Sequence, residues 1–145
     1  MVREEIAALL KTAHDQLLRA EDAFGKGFYD SCALFSALAA ENSASALILA
    51  LGSKPSKKHR NWYVLQIIPK PKKLEQDVSG VLIKLKTMEE HIVRTRYPIK
   101  DEEGTFTIPS EYYNKPKAEE LFQNSKDVVA KIEIIVKTIL KKEER

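Results

Sequence analysis

The residues best suited to chemistry stand together at Arg94-Thr95-Arg96-Tyr97-Pro98, with two more tyrosines, Tyr112 and Tyr113, after a loop. An arginine fork grips a phosphate through two parallel hydrogen bonds, and a tyrosine ring offers a face on which a base can stack. Two arginines at a helix end are also favoured by the helix dipole alone, so the same residues have a purely structural use. The three histidines are His14, His59 and His91. His14 falls on the polar side of a helical pattern and reads as a surface residue. His91 lies near a helix C-terminus, where a cation suits the dipole. His59 sits in a segment with no acid between Glu41 and Glu75, among Lys54, Lys57, Lys58, Arg60, Lys70, Lys72 and Lys73. Such a segment draws an anion by its local potential, or is a solvated loop kept soluble by its lysines.

Several chemistries are excluded by what the chain lacks. It has no HExxH or other metal-ligand spacing, no phosphate-binding G-x-x-x-x-G-K-[ST], no GxGxxG and no GxSxG. No metal site and no cofactor is expected, and no residue is assigned as a catalytic base. One cysteine, Cys32, rules out an internal disulfide and reads as a small buried hydrophobe. The net charge of +3 is too small to argue by itself for a nucleic-acid partner. A basic isoelectric point near 8.9 with abundant Lys and Glu fits a thermophile's composition. The first residues, MVREEIAALL, are acidic ahead of a short amphipathic pattern and are no signal peptide, which places the chain in the cytoplasm.

The elements that position these residues are helices. The 145 residues suit one domain, residues 1–145, and low glycine and proline argue against an all-β chain. Residues 3–25 carry apolar positions at Ile6, Leu9, Ala13, Leu17, Ala20 and Phe24, the period of an amphipathic helix. From Gly27 to Gly52 the chain is apolar or small throughout, with Asp30 and Glu41 its only charges. Ala33, Ala37, Ala40, Ala44, Leu47 and Leu51 form one stripe, and Cys32, Phe35, Ala39, Asn42 and Ala46 a second beside it. A helix apolar on most sides is buried on most sides, and its many alanines and serines let neighbouring backbones approach. Cys32 to Leu51 nearly reaches bilayer length, but Glu41 and Asn42 at mid-span favour a core helix over a membrane span. A third helix is predicted from about Pro71 to Arg94, with Gly80 permitting close packing. A fourth starts near Pro116 and ends in a solvated KKEER tail. WYVLQII is a strand-like segment or a turn of helix, with Trp62 and Tyr63 buried against the bundle. The loop 99–117 stays open in conformation. The fold class is all-α, an up-and-down four-helix bundle. The central helix has more apolar perimeter than its neighbours cover, and a symmetric homodimer is the expected way to bury the remainder.

The sequence also resembles a known family. The G-x-Y-D-x-[ACS] opening at Gly27, Tyr29 and Asp30 is similar to the start of HEPN domains (higher eukaryotes and prokaryotes nucleotide-binding). So are Phe35-Ser36-Ala37, Ala39-Ala40-Glu41, Leu51-Gly52, and the Arg96-Tyr97-Pro98 triplet followed by tyrosines and an alanine-led final helix. The resemblance implies a helical bundle with one or more extra short helices, commonly homodimeric. Many members are metal-independent RNases, or toxins partnered by a small nucleotidyltransferase. Active members resemble one another in an R-x(4–6)-H motif whose histidine helps the ribose 2′-hydroxyl attack its phosphate. Counted from Arg94 or Arg96, the histidine position falls on Ile99, Lys100, Asp101, Glu102 or Glu103, none of which is histidine. The resemblance therefore implies a nucleotide- or RNA-binding module, with Arg94, Arg96, Tyr97, Tyr113, His59 and Glu41 as candidate contacts. The alternatives are an RNase with a relocated base, and a non-catalytic scaffold.

Overall fold

The computed structural model describes residues 1–143; Glu144 and Arg145 lie outside it, so the expected solvated tail is followed only to an exposed Glu143. The elements in order are α1 (Val2–Gly25), α2 (Tyr29–Ala50), α3 (Asn61–Ile67), α4 (Glu75–Arg94), β1 (Ile99–Lys100), β2 (Phe106–Thr107), α5 (Pro109–Tyr112) and α6 (Lys115–Glu143). The four long helices are the four read from periodicity.

Glycines set the ends of the first two. Gly27 adopts φ 78° and Gly52 φ 84°, a left-handed conformation that side chains resist. Each is followed by the paired bonds of a Schellman stop. Gly27 N–H donates to the Phe24 carbonyl and Phe28 N–H to Ala23, while Gly52 and Ser53 donate to Leu49 and Ile48. The turn at Gly27 reverses the chain at once, so α1 and α2 are antiparallel neighbours.

Every residue of α2 is buried or half-buried. Ala20, Cys32 and Ala118 meet at one end of the bundle, and Ala13, Ala39 and Val129 meet further along. As α1 numbers fall, those of α2 and α6 rise, so α2 and α6 run parallel and α1 opposes both. Small side chains let them close up. The Ser125 hydroxyl of α6 donates directly to the Ser36 carbonyl of α2 at 2.6 Å. The main core adds Leu47, Leu65, Val78, Leu85, Met88, Ile92 and Ile132. By length and composition α2 could cross a membrane, yet 67% of its most apolar window is buried against its neighbours. It is the core helix. Leu34, Leu38, Glu41 and Ser45 form one half-buried stripe, and Ser31, Phe35, Asn42 and Leu49 another.

Some local expectations are corrected. WYVLQII is helical, and within α3 only Asn61 and Leu65 are buried. Trp62 is half-buried against the core, but Tyr63 is exposed, because a single-faced helix of two turns covers only one side. A 3-10 turn at Lys72–Leu74 precedes α4, so the regular helix begins at Glu75 and not at Pro71. Nothing beyond its own helix backbone and chain neighbours lies within 4 Å of where a Cβ on Gly80 would stand, so this glycine serves no close packing. His14 is exposed as expected and pairs with Glu133 of α6. Between residues 99 and 113 the chain forms β1, β2 and α5. Ile99 pairs with Thr107 and Lys100 with Phe106 in an antiparallel hairpin, whose turn is tied by Asp101 Oδ1 accepting the Glu103 and Thr105 N–H groups.

Candidate functional site

Helix α4 presents its C-terminus on the same end of the bundle as the start of α2 and α6. Its last carbonyls need partners. Thr95 Oγ1 donates to His91 at 2.8 Å, and Arg96 Nε–H donates to Ile92 at 2.9 Å. The second bond fixes the Arg96 stem, and the guanidinium sits 5.8 Å from the centre of the Tyr97 ring. Tyr97 is 57% exposed. Arg94, in the last turn, is exposed as well. Three of the candidate residues are thus exposed at the end of α4: Arg96 beside the open face of Tyr97, and Arg94 on the side of His91 and Tyr113, where its charge is felt.

Tyr113 is different. It is 1% exposed, its hydroxyl lying 2.6 Å from His91 Nδ1. A ring so buried cannot receive a base, and the expectation of stacking there is overturned. Burial pushes the Tyr113 hydroxyl well above the usual tyrosine range, with Arg94 opposing. Burial also lowers His91, and the Arg94 charge adds to the effect. The imidazole is therefore held neutral, not as the dipole-favoured cation its position suggested. The pair lines a cavity together with Thr87, Tyr112, Lys117, Glu120, Leu121 and Asn124. Lys117 Nζ lies 3.7 Å from the Tyr112 ring centre. The basic first turn of α6, Lys115 and Lys117, was the only sequence signal for this wall. Among the described residues no group of His, Cys, Asp or Glu could hold a metal ion.

Glu41 and His59 meet elsewhere. Their side chains are joined, Glu41 Oε2 to His59 Nδ1, at 2.7 Å, where the α2–α3 loop folds back on α2. Beneath them lies Glu89 of α4, a residue the sequence reading passed over. It is 2% exposed, and its carboxylate accepts the Asn61 N–H at 2.9 Å and the Trp62 N–H at 2.7 Å. A carboxylate from another helix thereby caps α3. Burial pushes its pKa to about 7, against the two backbone donors that favour the ion; nearby Glu41 raises it and His59 lowers it. The signal was spacing. Glu89 stands four residues after Leu85 and three before Ile92, on the core-facing stripe. Glu89 and His91 are two residues apart, about 200° around the helix, so the two clusters flank opposite sides of α4. The structure therefore divides the six candidates between two places.

The positions where active family members carry the motif histidine, Ile99 to Glu103, form β1 and its turn. Asp101 is occupied in closing that turn.

Two solved structures are similar in fold. One is TT1696 from Thermus thermophilus, with TM-score 0.69 and 23% identity, covering 92% of this chain and 98% of that one. The other is ST0689, an archaeal HEPN homologue, with TM-score 0.68 and 21% identity, covering 90% of this chain and 97% of that one. No curated protein sequence matches the chain. Residues 6–135 match the HEPN domain, which takes in α2 and α4 whole, most of α1 and α6, and both polar clusters. With its all-α bundle and its Gly27–Gly52 core helix, the chain belongs to the HEPN domain family.

Proposed function

We propose that this HEPN-type module binds a nucleotide or single-stranded RNA at the C-terminal end of α4. Arg94 and Arg96 contact phosphate there, and Tyr97 offers its ring to a base. The observation that carries the reading is the Arg96 guanidinium, fixed by its bond to the Ile92 carbonyl beside an exposed Tyr97. A cation already ordered loses little freedom when it meets a phosphate. The hairpin stands where active relatives place a histidine, which favours binding over cleavage. The half-buried stripes of α2 support a homodimer, and the family resemblance supports a cytoplasmic protein that pairs with a small nucleotidyltransferase. Isothermal titration with mononucleotides and short single-stranded RNA at low salt tests the central reading. Saturable heat with either ligand supports it, and its absence from both removes it.

A further inference from the structure

The α2–α3 loop holds a polar centre that the α4 reading leaves unused. His59 has φ 59°, a left-handed conformation uncommon for any residue with a side chain. An outlier of this kind persists only where its surroundings fix it, and here they do. Ser56 N–H donates to Asn61 Oδ1, while Asn61 Nδ2 donates to the Glu41 carbonyl and to Ser45 Oγ. Ser56 Oγ accepts the Lys58 and Arg60 N–H groups. Glu89 holds the next two N–H groups from below. The loop is therefore anchored without any help from the imidazole of His59.

What the imidazole gains is orientation. With Glu41 on Nδ1, the opposite nitrogen, Nε2, is the one left to meet an incoming group, and it donates to a phosphate oxygen in the imidazolium form, in which Nδ1–H serves Glu41 and Nε2–H the ligand. The His59 side chain is 36% exposed against 17% for Glu41, so the histidine is the outer member of the pair. The charges about it are ordered. Arg60 lies 4.9 Å from the Tyr63 ring centre and 5.7 Å from that of Trp62, and Lys86 of α4 lies 4.6 Å from Trp62. Cations over aromatic faces keep their charge in a defined place. Lys57 and Lys58 are exposed on the same loop. The negative groups are Glu41, engaged by His59, and Glu89, buried under the backbone.

We propose that His59, positioned by Glu41, is a direct contact of a second phosphate site, with Arg60 and Lys86 supplying its fixed positive charge. The ligand chemistry is a phosphate ester, carried by a mononucleotide or by a single-stranded RNA. The ligand class rests on the function proposed above; the geometry is independent of the α4 end.

The test uses the full chain with 15N-labelled histidines, titrated at low salt with ATP and, separately, with a short oligouridine. Saturating ligand should move the His59 Nε2 resonance while Nδ1 stays bonded to Glu41. A shift with both ligands assigns the site to any nucleotide phosphate, and a shift with oligouridine alone assigns it to the strand. His59→Asn, a residue that tolerates the left-handed backbone, should weaken binding about tenfold, the loss of one charge-assisted hydrogen bond. Glu41→Gln should disturb the Nδ1 resonance and weaken binding without removing it. His59 resonances unmoved at saturation, with affinity intact in His59→Asn, would overturn the proposal and leave the α4 reading standing. A His59 shift that survives Arg94→Ala/Arg96→Ala with unchanged affinity would support this site and remove that one. No binding by the wild type would overturn both.

Discussion

Replacing Glu89 by Gln should abolish one component of the pH dependence of stability. Burial raises the Glu89 carboxyl from 4.5 to about 7. Between those values the folded chain holds a proton that the unfolded chain has released. Stability from this source is therefore full below about pH 4.5 and lost as pH rises through about 7. The span corresponds to about 3 kcal/mol at roughly 1.4 kcal/mol per pH unit, a large part of a small domain's total stability. His91 works in the opposite sense. Its pKa is lowered from 6.5, so the unfolded chain takes up a proton that the folded one refuses, and stability from that source is lost as pH falls below 6.5. The two partly cancel in the wild type, and the difference between wild type and Glu89→Gln isolates Glu89. Urea unfolding at intervals from pH 5 to pH 8 measures it. Losing one backbone contact to the amide adds a constant offset of about 1 kcal/mol, so the slope of the difference is the readout. The wild type should lose most of the 3 kcal/mol relative to the variant across the range. A difference constant within about 0.5 kcal/mol would refute the claim that burial, not the two N–H donors, governs this carboxyl.

Other expectations follow from single residues. Leu47, fully buried where α2 meets the main core, should cost about 2–5 kcal/mol on Leu47→Ala, measured by chemical denaturation; a loss under 1 kcal/mol would mean the core collapses around it. Cys32 is buried and its thiol is raised by that burial, so at pH 8 a thiol reagent should label it no faster than the chain unfolds. Rapid labelling of native protein would contradict this. Gly52→Ala should cost about 1 kcal/mol, since its φ of 84° is strained for alanine; an unchanged midpoint would show that α2 can end another way.

The long helices were legible because their apolar positions repeat at the helical period and because Gly27 and Gly52 take the left-handed conformation that stops them. Shorter elements were not. WYVLQII has too few residues to separate strand from helix, and its helix depends on a cap from Glu89, which lies 27 residues beyond Trp62. The hairpin hangs on Asp101, whose side chain ties the turn. Of the site residues, those at the end of α4 are grouped by sequence alone, while the pairing of the others is hidden in it. Arg96 and Tyr97 are neighbours in sequence and remain so in space. His59 and Glu41 are 18 residues apart and meet only because the loop doubles back with His59 at positive φ. Tyr113 read as an open aromatic until the fold buried it on His91, and His91 read as a cation until Tyr113 covered it. Tertiary burial, which no periodicity reports, decided both.

The most direct test of function is the salt dependence of single-stranded RNA affinity for the wild type and for Arg94→Ala/Arg96→Ala. Each phosphate contact on a single strand contributes about 0.7 to the slope of log K against log salt concentration. Loss of both arginines should therefore weaken binding at low salt and flatten the slope by about 1.4. Equal affinity and equal slope for the two proteins would contradict a phosphate-binding role for the end of α4.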